Sequence, residues 1–152
     1  MSTVPTFVQR TPAMKTVMRA GAINILRSEL DLLDVQRILL VCSGSVRRSG
    51  LYQLLLEQLQ DLQILNAPDV PEHSSVELVE RLAVESAQQN IQCIVAVGGG
   101  SCSDTAKAVA LLMAEGGRLV DHASRFTPPD KLHIPVLKAP KIPIVSIPCT
   151  AS

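Results

Sequence analysis

The sequence predicts an α/β domain with a mostly parallel sheet and flanking helices, and three observations carry that expectation. Short, mostly apolar runs recur at residues 37–42, 91–97 and 144–147. A strand that is apolar on both faces suits a parallel sheet covered by helices on each side. Between these runs lie stretches with apolar residues three to four apart, the spacing of amphipathic helices. The chain of 152 residues is 47% hydrophobic yet only 2% aromatic. It therefore has material for one aliphatic core, of the size of one ordinary domain spanning residues 1–152.

The elements follow in order. Residues 14–20 read as a short strand. Gly21-Ala22 leads into Ile23, Ile25, Leu26, Leu30 and Leu33, a helical pattern. Residues 37–42 (Arg-Ile-Leu-Leu-Val-Cys) form a strand that Ser43-Gly44-Ser45 breaks, and Leu51, Leu54, Leu55 and Leu59 share one face of the next helix. Residues 62–65 are the next strand candidate. After a loop, Ser74 has Glu77 three positions later, the capping-box spacing that opens a helix. Val76, Val79, Leu82 and Ala83 mark its buried face. Residues 91–97 are the clearest strand, ended by Gly98-Gly99-Gly100. A helix from Ser101 buries Ala106, Val109, Ala110 and Met113 until Gly116-Gly117 stops it. Residues 121–143 carry five prolines and no period, which reads as a surface excursion, and residues 144–147 close the list as a strand. Strands joined through helices in this way imply right-handed crossovers.

Composition excludes several functions. Lys and Arg number 14, as do Asp and Glu, and there is no Trp, one Tyr and two Phe. The chain has neither the charge excess nor the stacking rings of a nucleic-acid binder. Residues 1–15 lack the apolar core of a secretory signal, and no apolar run reaches membrane-spanning length. Cys42, Cys93, Cys102 and Cys149 are widely spaced and form no CxxC pair. They read as free thiols of a cytoplasmic protein. His73, His122 and His133 are scattered and read as loop or surface residues, so no metal site is expected within the chain.

The segment that carries chemistry is Val95-Ala96-Val97-Gly98-Gly99-Gly100-Ser101-Cys102-Ser103-Asp104-Thr105-Ala106-Lys107. Glycines let backbone N–H groups approach a phosphate closely. The helix that follows presents unpaired N–H groups and the positive end of its dipole. The carboxyl end of a parallel strand is also where ligands of open α/β sheets bind. The same residues admit a purely structural reading: a tight turn, a Ser101–Asp104 capping box and an Asp104–Lys107 surface ion pair.

Gly-Gly-Gly-Ser-x-x-Asp-x-Ala-Lys at residues 98–107 is similar to the signature of the iron-containing alcohol dehydrogenases. Ile144-Val145-Ser146-Ile147-Pro148-Cys149-Thr150-Ala151 resembles that family's Ile-Pro-Thr-Thr-Ala segment, and the Gly21-Ala22 region is a third match. The resemblance implies a Rossmann-like fold of the dehydroquinate synthase N-terminal type. It implies a domain of an oxidoreductase that moves hydride between an alcohol or aldehyde and NAD or NADP. Gly98, Gly99, Gly100 and Ser101 would hold the pyrophosphate, and Asp104 would lie near the nicotinamide. Ser43, Cys149 and Thr150 would line the cleft, with Cys149 in place of the first threonine of the family segment.

The chain departs from the family pattern in places. Where many members have Thr-Asp to bind the adenosine ribose, this sequence has Cys42-Ser43-Gly44, with Arg47 and Arg48 following. That leans toward the 2′-phosphorylated cofactor, although both arginines also suit the solvated face of a helix. The family's Asn-Pro-Thr is Glu72-His73-Ser74 here, with Ser74 expected to keep the helix cap, and Ser152 stands where glycine is common. The family's metal ligands, one Asp and three His on a C-terminal helical domain, have no counterpart among these residues. Iron or another divalent metal is thus expected only in that absent domain, and the 152-residue chain alone is expected to be inactive. A homodimer is compatible with the resemblance. The competing reading is a free-standing α/β module that binds a nucleotide or a partner without turnover.

Overall fold

The computed structural model describes residues 13–71 and 74–150. The expectations placed on residues 1–12, Glu72, His73 and Ser152 lie outside the described residues.

After a 3-10 turn over Ala22–Ile25, the chain forms α1 (Leu26–Leu32), β1 (Arg37–Cys42), the one-turn helix α2 (Gly44–Arg47) and α3 (Gly50–Leu59). Then come β2 (Gln63–Asn66), α4 (Val76–Gln88), β3 (Cys93–Gly98) and α5 (Gly100–Glu115). A short hairpin, β4 (Arg125–Thr127) and β5 (Lys131–His133), precedes β6 (Ile144–Pro148). The main sheet has the order β2-β1-β3-β6, and every pair in it is parallel.

The continuous apolar runs have the expected cause. Successive side chains of a strand point to opposite faces, and here both faces are covered. Leu39, Val41, Ile94 and Ala96 pack with α4 and α5 on one side. Ile38, Leu40, Cys42, Cys93, Val95 and Val97 pack with α1 and α3 on the other. From β1 the chain steps outward to β2, then returns past β1 to β3 and on to β6. Reversing direction while keeping one crossover hand requires the connecting helices to change faces, as α3 and then α4 and α5 do. The reversal makes a switch point between the carboxyl ends of β1 and β3, where the connections diverge and leave a crevice.

Four local expectations are corrected. Residues 14–20 form no strand; they are exposed and unpaired with the sheet. Helix α4 is capped by Ser75, whose hydroxyl accepts from Leu78 N–H at 3.1 Å, so Ser74 is released for another contact. Helix α5 starts one residue before Ser101, with Gly99 in the cap position and no side-chain cap bond. The excursion at 121–143 contains the antiparallel β4–β5 hairpin. Its strand residues are all exposed, so no apolar alternation reveals it.

The same excursion is fastened to α5 by one carboxylate. Glu115 accepts from the N–H groups of Lys138 at 2.8 Å and Ala139 at 3.0 Å, and pairs with the Lys141 ammonium. A negative charge in the last turn of a helix opposes the dipole; these donors offset it. The Lys141 hydrogen bond foremost, then the backbone bonds, hold the Glu115 carboxyl down at about 2, against an ordinary 4.5. A carboxyl depressed on folding contributes stability above its unfolded pKa and loses it as pH falls through the folded one. Glu115→Gln is therefore expected to lower the melting temperature at neutral pH. The gap to the parent should shrink between about 4.5 and about 2. A gap that persisted unchanged at the acid end of a thermal-unfolding series would refute the fastening.

Candidate nucleotide site at the switch point

Strand β3 ends at Gly98, which has φ +149°. This conformation is rare for any residue with a side chain. A Cβ there would lie 2.7 Å from Cys102 Sγ and 3.2 Å from Ser43 Oγ. Gly99 follows with an ordinary extended backbone, φ −83°. A Cβ on it would meet the Thr150 hydroxyl at 3.2 Å, whereas one on Gly100 would meet nothing within 4 Å among the described residues. The turn is therefore bare on its outer side at Gly100 among the described residues, and α5 opens there with the positive end of its dipole. Thr150 reaches the turn because β6 continues its register with β3, Gly98 opposite Pro148, and Cys149 N–H bonds the Gly98 carbonyl at 2.9 Å. Ser43 reaches it from β1; its hydroxyl accepts from Val46 N–H at 3.3 Å and so also caps α2.

Ser43, Gly99 and Ser101 line a cleft of about 620 Å³ with Gly44, Arg48 and Asp69, within the size range of small-molecule sites. A larger groove of about 1020 Å³ runs along β6 against residues 13–33. Its lining is mostly apolar, whereas the smaller cleft is the one that Gly99 and Ser101 of the glycine turn line.

Seven of the eight expected site residues gather around the turn: Gly98, Gly99, Gly100, Ser101, Ser43, Cys149 and Thr150. Asp104 stands apart, one helical turn further on and 72% exposed, in an ion pair with Lys107 at 3.3 Å. The surface-pair alternative read from the sequence is thus present in the structure. Arg47 is not on a solvated face. Its side chain is 19% exposed and its Nε lies 2.8 Å from Asp69 Oδ1. That N–H is not directed at the oxygen, so this is charge attraction rather than a formed hydrogen bond. Its other nitrogens donate to the Tyr52 hydroxyl at 3.0 Å and to the Ala67 carbonyl.

Sequence reasoning missed two contributors. Ser74, freed from capping, donates to the Ser101 carbonyl at 3.0 Å and shares a 2.6 Å hydrogen bond with Thr105. The fully buried Thr105 hydroxyl lies 2.8 Å from the same carbonyl, so two hydroxyl protons are shared among these three contacts. These hydroxyls tie the loop before α4 to the first turn of α5 and fix its direction. The second is Asp69, 25 positions from Gly44 in the chain and beside it in space; no local pattern marks it.

The four cysteines are free. Burial pushes the thiols of Cys42 and Cys93 up to about 11, and burial raises Cys102 and Cys149 as well. Such thiols are poor nucleophiles near neutrality. Among the described residues no group of three His, Cys, Asp or Glu side chains could hold a metal ion, and no helix is long and apolar enough to cross a membrane.

A glycine turn between a parallel strand and a helix, at the switch point of a doubly covered sheet, is the arrangement with which α/β domains hold phosphate groups. The chain belongs to the iron-containing alcohol dehydrogenase family, which matches residues 13–152. It is similar to the 4-hydroxybutyrate dehydrogenase of Cupriavidus necator, 32% identical over 104 residues, which are 68% of this chain and 27% of the relative. It is 27% identical to the NAD-dependent methanol dehydrogenase of Bacillus methanolicus over 139 residues, 90% of this chain and 34% of that protein. Among solved structures, a 1,3-propanediol oxidoreductase superposes with a TM-score of 0.73 at 25% identity, covering 86% of this chain and 32% of the other. The chain thus spans about a third of the length of these relatives.

Proposed function

We propose that this chain is the dinucleotide-binding part of an oxidoreductase that transfers hydride between a small alcohol or aldehyde and a nicotinamide cofactor. The observation that carries the reading is the convergence of Ser43, Gly98 to Ser101 and Thr150, from three strand ends, on one bare turn. The Gly99, Gly100 and Ser101 backbone would receive the pyrophosphate. Thr150, packed against Gly99, would wall the cleft, and Ser74 and Thr105 would keep the first turn of α5 aimed at the phosphates. Asp104 would face the nicotinamide half only after leaving Lys107. An exposed pair of this kind is worth ~1 kcal/mol or less, so a ligand can displace it.

The family's metal polarises the substrate oxygen when bound. Among the described residues no group of three His, Cys, Asp or Glu side chains fits such a metal. A reducing, cytoplasmic setting suits four unpaired thiols, and a homodimer remains compatible with the fold. As for the 2′-phosphorylated cofactor, Arg47 is committed to Asp69, Tyr52 and Ala67, which leaves Arg48 alone to receive such a phosphate.

Calorimetric titration of the chain with NAD and NADP tests the reading directly. Thiol labelling gives a second readout. Cys149 is the one exposed cysteine of the four, so a disulfide reagent is expected to modify one thiol in the native chain and four after denaturation. Bound dinucleotide is expected to slow modification of Cys149, whose neighbour Thr150 packs against Gly99. Heat-free titrations, with labelling indifferent to cofactor, would remove the reading.

A further inference from the structure

No carboxylate follows β1 in the sequence; Ser43-Gly44 stands there. The fold restores one from the neighbouring strand. The loop after β2 is held against the end of β1 by Ala67 N–H to the Leu40 carbonyl at 3.0 Å and Val70 N–H to the Cys42 carbonyl at 3.3 Å, with a parallel bridge between Ser43 and Val70. This places Asp69 over Gly44. Asp69 Oδ1 faces Arg47 at 2.8 Å. Oδ2 lies so close to the bare Gly44 that a Cβ added there would be 2.7 Å from it. The carboxylate lines the same cleft as Ser43, Gly99 and Ser101.

We propose that Asp69 is the residue that selects the cofactor: Oδ2 accepts the vicinal hydroxyls of the adenosine ribose and disfavours a ribose that carries a 2′-phosphate. The inference rests on the dinucleotide reading above and deepens it. A carboxylate is the matching acceptor for two adjacent hydroxyls, and its charge repels a phosphate at the same point. Arg47 does not compete as a phosphate receptor. Its guanidinium is engaged by Asp69, Tyr52 and Ala67 and stacks 5.3 Å from the Tyr52 ring, so it acts as the clamp that aims Asp69.

The one opposing group is Arg48, whose Nη1 would be 3.0 Å from the same Cβ on Gly44. Arg48 is an exposed side chain without an ion pair among the described residues. It must be ordered to hold a phosphate, whereas Asp69 is fixed by both its loop and its clamp. The preordered group prevails, and the cofactor is the unphosphorylated one, against the lean of the sequence motif.

The test uses ligands that carry only the adenosine half and the pyrophosphate: ADP-ribose and its 2′-phosphate, titrated calorimetrically into the 152-residue chain. The parent is expected to prefer ADP-ribose by at least about tenfold. Asp69→Asn should lose that preference while keeping its melting temperature. Gly44→Ala should lose it too, because the new methyl evicts Oδ2 with no backbone strain. A parent that prefers the 2′-phosphate, or an Asp69→Asn chain with an unchanged ratio, would overturn the role of Asp69 and leave the dinucleotide site standing. A parent that binds neither ligand, nor NAD, would overturn the site itself and this assignment with it.

Discussion

A chain carrying Gly99→Val is expected to fold and to bind no dinucleotide. The two halves of that expectation have separate physical grounds. Gly99 sits at φ −83° and ψ −169°, extended backbone that valine adopts without strain. Among the described residues its new Cβ would meet within 4 Å only the Thr150 side chain, at 3.2 Å and 3.8 Å, and that side chain is exposed. As a helix cap valine is worse than glycine by about 1 kcal/mol, which corresponds to about 2–4 °C in a domain of this size. Binding is a different matter. Phosphate oxygens must come within about 3 Å of the backbone N–H groups, and the valine methyls occupy that approach. Losing two or three charge-assisted bonds removes at least about a hundredfold in affinity. Calorimetry with NAD beside a melting curve separates the two effects. A variant that binds like the parent would put the phosphate cradle elsewhere.

How much of this was legible beforehand depended on where the information lay. β1 and β3 were readable because each is buried on both faces and so is almost wholly apolar; Ile38 to Cys42 and Cys93 to Val97 are almost completely covered, whereas β6 is only half-buried and was marked by Ile144, Val145 and Ile147. The glycine turn was readable because its chemistry is contiguous in sequence. Signals that depended on a choice between neighbours were less secure. Ser74 and Ser75 both precede α4, and the spacing to Glu77 favoured Ser74; the backbone put Ser75 at the cap and gave Ser74 to Ser101. The β4–β5 hairpin carries exposed Phe126 and Leu132, so burial leaves no imprint on its sequence. Contacts across the sheet were invisible. Asp69 reaches Gly44, and Glu115 reaches residues 138–141, only because the parallel order brings distant loops to one end.

The proposed reading implies a division of labour within the candidate site. Backbone groups of the turn would serve the pyrophosphate, which every nicotinamide cofactor shares. Side chains from the β1 and β2 loops would meet the adenosine ribose, where the cofactors differ. Changes at Gly98 to Ser101 should therefore alter affinity for both cofactors together. Changes at Gly44, Arg48 or Asp69 should alter their ratio.

Gly98→Ala is expected to be costly where Gly99→Val is mild, although the residues are adjacent and alanine is the smaller addition. Two terms add. At φ +149° a side chain is held in a region that only glycine occupies readily, at about 1–3 kcal/mol. The new methyl would also stand 2.7 Å from Cys102 Sγ and 3.2–3.3 Å from the Ser43 side chain. Cys102 is 2% exposed in the first turn of α5, where few rotamers are open to it, so its sulfur cannot retreat freely. Overpacking of this kind costs about 1–3 kcal/mol. The sum, about 2–6 kcal/mol, is a large share of the 5–15 kcal/mol that stabilises a typical domain. A double-mutant cycle tells the terms apart. In a Cys102→Ala background the closest clash is removed, while the Ser43 contact and the backbone term stay, so the cost of Gly98→Ala should fall by about 1–2 kcal/mol without vanishing. Denaturant unfolding of the four chains measures it. If Gly98→Ala lies within about 0.5 kcal/mol of the parent, the turn is not held in the conformation described, and the cradle argued from it would have to be rebuilt.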